Sequence, residues 1–163
     1  MVILLMGTTG AGKTTVGTML ARELGWAFLD ADDYHPAANI EKMTKGIPLT
    51  DEDRSPWLAA IHAELFRRTA QGENVVLGCS ALKQKYRDAL SEGMHIQLVY
   101  LKGSYEEMLR HIQGRHGHFA GAAILAGQFA DLEEPKNAIV VEVSKTPEEI
   151  VAELREELSA GSR

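Results

Sequence analysis

A single cysteine, Cys79, stands in a chain of 163 residues, so no disulfide closes within it and no cysteine-rich zinc site forms. That scarcity fits a reducing compartment. Basic residues are also in deficit: 17 Lys and Arg against 23 Asp and Glu leave a formal net charge of −6. A nucleic-acid surface needs a basic face to neutralise phosphates, and attachment to an anionic membrane needs the same, so neither partner is expected. No apolar run approaches the ~20 residues that span a bilayer. The first such run, Val2 to Met6, is too short for a signal peptide and lacks its basic flank. These absences predict a cytoplasmic protein, and a norm of ~150 residues per domain predicts one domain over 1–163.

What is present is an alternation of strand and helix patterns. Val2 to Met6 is uninterrupted apolar sequence, as in a central strand covered on both faces. From Lys13 to Leu24 the period becomes helical, with Val16, Met19, Leu20 and Leu24 on one stripe and Gly25 as a stop. Trp26 to Leu29 reads as a second strand, and Ile40 to Lys45 as a short helix. Ser55-Pro56 reads as the cap and first residue of a helix whose face is Trp57, Leu58, Ile61, Leu65 and Phe66. Further strands are expected over 74–79, 96–101 and 138–143, and helices over 83–91 and 105–115. Thr146-Pro147-Glu148-Glu149 is a capping box that opens a final helix. Strands that each precede helical material predict a three-layer α/β/α domain on a five-stranded parallel sheet.

Gly7-Thr8-Thr9-Gly10-Ala11-Gly12-Lys13-Thr14 matches G-x-x-x-x-G-K-[ST] in full, between a buried strand and a helix. Glycines let successive N–H groups converge on a phosphate, and the helix N-terminus adds partial positive charge. Lys13 reaches the β- and γ-phosphates, and the Thr14 hydroxyl is a ligand for Mg²⁺. With Thr15 in the same turn, the run binds ATP.

Asp30, Asp32 and Asp33 follow the second strand, at the edge where open α/β sheets bind ligands. The third strand ends in Leu77-Gly78-Cys79-Ser80, without a carboxylate, so a carboxylate partner for Mg²⁺ is expected at Asp30. Asp32 then orients or deprotonates an acceptor hydroxyl, with Asp33 as the alternative. Cys79 is expected to be a small buried residue and not a nucleophile.

These residues resemble the gluconokinase family. The resemblance rests on the phosphate loop, 28–36, 39–43 and 46–54, then Pro56-Trp57-Leu58, Cys79 to Lys83, Tyr86-Arg87-Asp88, Gly117-His118-Phe119 and Gln128-Phe129. It implies phosphorylation of D-gluconate to 6-phosphogluconate by ATP, a sheet ordered 2-3-1-4-5 as in shikimate kinases, a mobile lid and a homodimer. Another small-molecule kinase of the same fold and a non-catalytic nucleotide switch are the alternatives.

Gluconate is an anion with several hydroxyls, so its site needs a cation and polar side chains. With the resemblance, Arg54 is assigned to substrate. Lys83 and Arg87, four apart on a predicted helix, are expected to point at the acceptor. His35 either bonds a gluconate hydroxyl or is structural, and the resemblance adds His118 to the substrate set. The glycine-rich stretch 114–127 reads as the lid, with Arg115 at its border stabilising the transferring phosphoryl group.

Overall fold

The computed structural model describes residues 1–116 and 119–161, without the side chains of 114–116, 119 and 120. In chain order the elements are β1 (Val2–Met6), α1 (Lys13–Leu24), β2 (Ala27–Asp30), a 3-10 turn (Ala31–Tyr34), α2 (Ala37–Thr44), α3 (Asp51–Ala70) and β3 (Val75–Gly78). They continue with α4 (Gln84–Ser91), β4 (Ile96–Lys102), α5 (Tyr105–His116), α6 (Phe119–Asp131), β5 (Ile139–Glu142) and α7 (Pro147–Gly161). The five strands pair in parallel in the order β2-β3-β1-β4-β5, as the resemblance implies.

β1 is apolar throughout because both of its faces are covered. Val2, Leu4 and Met6 join Trp57, Leu58, Ile61, Leu65 and Leu90 of α3 and α4 on one side. Ile3 and Leu5 join Val16, Leu20, Leu125, Ile150 and Leu154 of α1, α6 and α7 on the other. A strand at the centre of a parallel sheet has no solvent face on which to place a polar residue. On α1, Gly17 lies against β2: a Cβ there would stand 2.4 Å from the Phe28 ring. All C-terminal strand ends reach one edge of the sheet, which gathers the loops that carry the chemistry.

One expectation is corrected. α3 begins at Asp51, so Pro56 lies inside it and Ser55 is not its cap. The cap is Thr50, whose Oγ1 accepts from the Asp53 N–H at 3.0 Å while the Asp53 carboxylate accepts from the Thr50 N–H at 2.9 Å. Pro56 removes one hydrogen bond near the first turn, and the capping box with four buried apolar residues outweighs that loss. The glycine-rich stretch is helical from Phe119 onward, with Leu125 wholly buried. Gly121 packs closely there: a Cβ on it would lie 2.6 Å from Ile112 of α5.

Candidate active site

The phosphate loop runs from the end of β1 into α1. Gly10 holds φ at 86°, a left-handed conformation that side chains resist, and a Cβ there would meet the Met108 carbonyl at 2.9 Å. The Lys13 ammonium folds over the loop, donating to the Gly7 and Thr8 carbonyls at 2.9 and 3.0 Å. α5 and α6 close its far side. The Gln128 carbonyl oxygen accepts from the Thr9 N–H at 2.6 Å, and His111 Nδ1 donates to the Gly10 carbonyl at 2.7 Å.

Across the sheet edge stand the carboxylates that follow β2. Asp30 accepts from the Asp32 N–H at 2.9 Å, and its other oxygen lies 3.5 Å from the Thr14 hydroxyl. A hydroxyl and a carboxylate oxygen beside a phosphate-binding loop are hard donors, the kind Mg²⁺ takes in pairs while keeping its remaining positions for phosphate and water. These two residues therefore fit the ion. Asp32 projects into the cleft with its side chain 86% exposed. Partial desolvation, then the charge of Asp30, raise its proton affinity above that of an ordinary aspartate, while His35 and Lys13 oppose them. The effect is a modest one at such exposure.

His35 is inserted behind Asp32. Its ring stacks on Trp57 at 4.3 Å between centroids, and Trp57 donates to the Ala31 carbonyl at 2.7 Å. Burial lowers its pKa, with Asp32 opposing and Arg54 assisting, so the imidazole is held neutral.

Arg54 leaves α3 toward α4. It donates to the Tyr86 hydroxyl at 2.9 Å, and its guanidinium lies 5.3 Å from that ring's centre. The Tyr86 hydroxyl in turn donates to Asp51, which also pairs with Lys85 and, at 3.5 Å, with Lys83. Arg54 and Lys83 thus stand on one aromatic platform, with the Asp51 carboxylate among them. Lys85 first and Tyr86 second hold that carboxyl well below the usual aspartate range.

Arg87 is a correction. It does not share an open face with Lys83, which is the N-cap residue of α4. The Arg87 side chain turns inward, 5% exposed, and donates to the carbonyls of Ala81, Leu82 and Glu133 at 2.7 to 3.1 Å, its Nε left without a partner. One of those carbonyls belongs to Ala81, a non-glycine residue at φ 44°. The arginine therefore secures a strained turn next to the phosphate loop, where the Gly7 N–H donates to the Ser80 carbonyl at 3.3 Å. Cys79 is buried, and burial pushes its thiol up to about 12, so it is inert as a nucleophile. The Arg115 side chain and His118 lie outside the described residues.

Residue-by-residue reading missed Asn39, Trp57, Tyr86, His111 and Gln128 as parts of the site. All but His111 fall within the segments that carry the family resemblance, which was their only available signal. His111 gave none, since its partner is a backbone carbonyl a hundred residues away in sequence.

Comparison with known families matches residues 9–159 to the shikimate kinase family. A probable gluconokinase of Mus musculus is 44% identical, over 96% of this chain and 97% of its own length. A gluconokinase of Gluconobacter oxydans is also 44% identical, over 93% of this chain and 88% of its own. The chain belongs to the gluconokinase family, within the shikimate-kinase-like fold. Among solved structures, a gluconokinase from Sinorhizobium meliloti 1021 superposes with a TM-score of 0.84 at 40% identity, covering 99% of this chain and 97% of that one.

Proposed function

We infer that the chain transfers the γ-phosphoryl group of ATP to D-gluconate, giving 6-phospho-D-gluconate and ADP. The observation that carries this reading is the phosphate loop itself, with the Lys13 ammonium folded over the Gly7 and Thr8 carbonyls and Asp30 beside Thr14, in a chain 44% identical to a probable gluconokinase. The loop N–H groups and Lys13 hold the β- and γ-phosphates. Asp32 receives the proton of the acceptor hydroxyl as its oxygen bonds to the γ-phosphorus and the bond to the ADP oxygen breaks. Arg54 and Lys83 supply the positive charge that a sugar acid needs. Thr14 and Asp30 would hold Mg²⁺, which would offset negative charge on the phosphates there.

The lid belongs to the same reading. Gln128 occupies the Thr9 N–H of the phosphate loop, which supports a reading in which α6 shifts when phosphate arrives and Arg115, at the lid's border, stabilises the transferring phosphoryl group. Hydrogen exchange over 119–127 with and without both substrates tests this, with protection expected to rise on binding. The chain length supports one domain over 1–163, the single cysteine a cytoplasmic setting, and the family resemblance a homodimer. Among the described residues no helix is long and apolar enough to cross a membrane. A coupled ADP-release assay over sugar acids, shikimate and nucleoside monophosphates tests the assignment. Turnover on gluconate far above the other acceptors is expected, and preference for another acceptor overturns it.

A further inference from the structure

We propose that His35 is a positioning residue for Asp32, fixed by Asn39 as the tautomer that presents its Nε2–H to the Asp32 carboxylate. The inference rests on Asp32 as the acceptor-side base. It starts at Asn39, a polar side chain only 3% exposed. Its Nδ2 donates to the Asp53 backbone carbonyl at 2.9 Å. A carbonyl only accepts, so this contact decides which end of the amide is nitrogen. The second N–H of that nitrogen faces His35 Nδ1 at 3.3 Å. Nδ1 is then an acceptor, and a neutral ring carries its proton on Nε2.

Nε2 faces Asp32 Oδ1 at 3.8 Å. A half-turn of the ring would keep its stack on Trp57 but set a C–H against the Asn39 N–H, so the Asn39 contact selects the orientation that points Nε2 at Asp32. The Asp32 side chain, by contrast, is 86% exposed, and its carboxylate stands just outside hydrogen-bond range. Long contacts of this kind in ligand-free sites commonly tighten when substrate binds. Trp57 bonds the Ala31 carbonyl and Asp30 bonds the Asp32 N–H, so platform, imidazole and carboxylate backbone form one unit. A donor on Oδ1 leaves Oδ2 to face the acceptor hydroxyl. The arrangement orders a carboxylate that the backbone alone leaves free.

Long-range ¹H–¹⁵N spectra of the ring-labelled enzyme read the tautomer directly. A proton on Nε2 is expected, and a proton on Nδ1 overturns the proposal. His35→Phe keeps the stack and removes the donor, while His35→Gln returns an N–H near the Nε2 position. Loss of a hydrogen bond to a charged group predicts a kcat roughly 10-fold lower in His35→Phe, with KM for ATP and gluconate nearly unchanged and most of the rate restored in His35→Gln. Thermal unfolding checks that both variants are folded. In an Asp32→Asn background His35→Phe adds no further loss, because it acts through that carboxylate. Wild-type kcat in folded His35→Phe, a Gln variant as slow as the Phe variant, or a full additional loss in the Asp32→Asn background each overturns it. Wild-type rate in Asp32→Asn alone removes the base assignment instead, and the tautomer spectrum still reports on the Asn39–His35 pair.

Discussion

The two halves of the cleft are built on different principles. The nucleotide side is one contiguous stretch, Gly7 to Thr14, whose ligands are mostly backbone N–H groups held between β1 and α1. The proposed acceptor side is a set of side chains from distant segments: Asp32 and His35 after β2, Asn39 on α2, Arg54 and Trp57 on α3, Tyr86 on α4. Backbone amides converge wherever the local φ and ψ make them converge, so a short motif suffices. Side chains converge only where a core brings their elements together. Here that core is the face shared by Trp57, Leu58, Ile61, Leu65 and Leu90. The nucleotide side thus depends on local backbone geometry, and the acceptor side on how the core places its side chains.

The sharpest test of this contrast removes Lys13. Lys13→Ala is expected to lose measurable turnover on every acceptor without loss of fold, because its ammonium contacts loop carbonyls and not the core. Near-normal activity in a folded variant would break the nucleotide half of the comparison. Next comes Asp32→Asn, expected to lower kcat by ~10²–10⁴-fold with little change in ATP binding. If Asp33→Asn is inactive and Asp32→Asn is not, the base is the neighbouring carboxylate.

Arg54→Ala is expected to raise KM for gluconate roughly 10- to 100-fold, the worth of one charged hydrogen bond, with ATP affinity retained. Isothermal titration with each substrate separates the two. Arg87→Ala should behave in the opposite way. It leaves buried carbonyls unpaired, so a loss of about 3 kcal/mol is expected, a fall in Tm of roughly 6–12 °C, while gluconate KM in the folded fraction stays close to wild type. A large rise in KM with unchanged Tm would return Arg87 to the substrate.

The smallest effect concerns the α3 cap. The Asp53 carboxyl is held at about 2 by the Lys42 ammonium and the Thr50 N–H. A folded-state value below the unfolded one stabilises the fold above pH ~4, and that contribution is lost as pH falls through the folded value near 2. Urea unfolding at pH 5 and pH 2.5 should show a decline that is shallower in Asp53→Asn, with equal slopes in the two proteins overturning the cap's role.

Legibility in the sequence followed the range of the interactions. α1 and the capping box of α7 were readable because each is decided within four residues or one helical stripe. The start of α3 was misread at Ser55-Pro56 because proline usually marks a first turn, whereas Thr50-x-x-Asp53 closes a box with aspartate in place of the commoner glutamate. The glycines of 119–127 read as freedom, yet Gly121 is a packing residue whose meaning depends on Ile112. Arg87 read as an acceptor-site cation because its helical spacing from Lys83 says nothing about which way the helix turns in the fold.

By itself, then, the sequence determined the alternation of strands and helices, the both-faces-buried β1, the phosphate loop and the carboxylates after β2. Each of these depends on neighbours in the chain, through hydrogen-bond geometry and apolar periodicity. Tertiary structure alone decided that Arg87 faces inward to hold the Ala81 turn, that Gln128 caps a loop amide, and that Asn39 orients His35 toward Asp32. Those contacts join residues far apart in sequence or fix one tautomer out of two, and only the packed core sets the distances that make them.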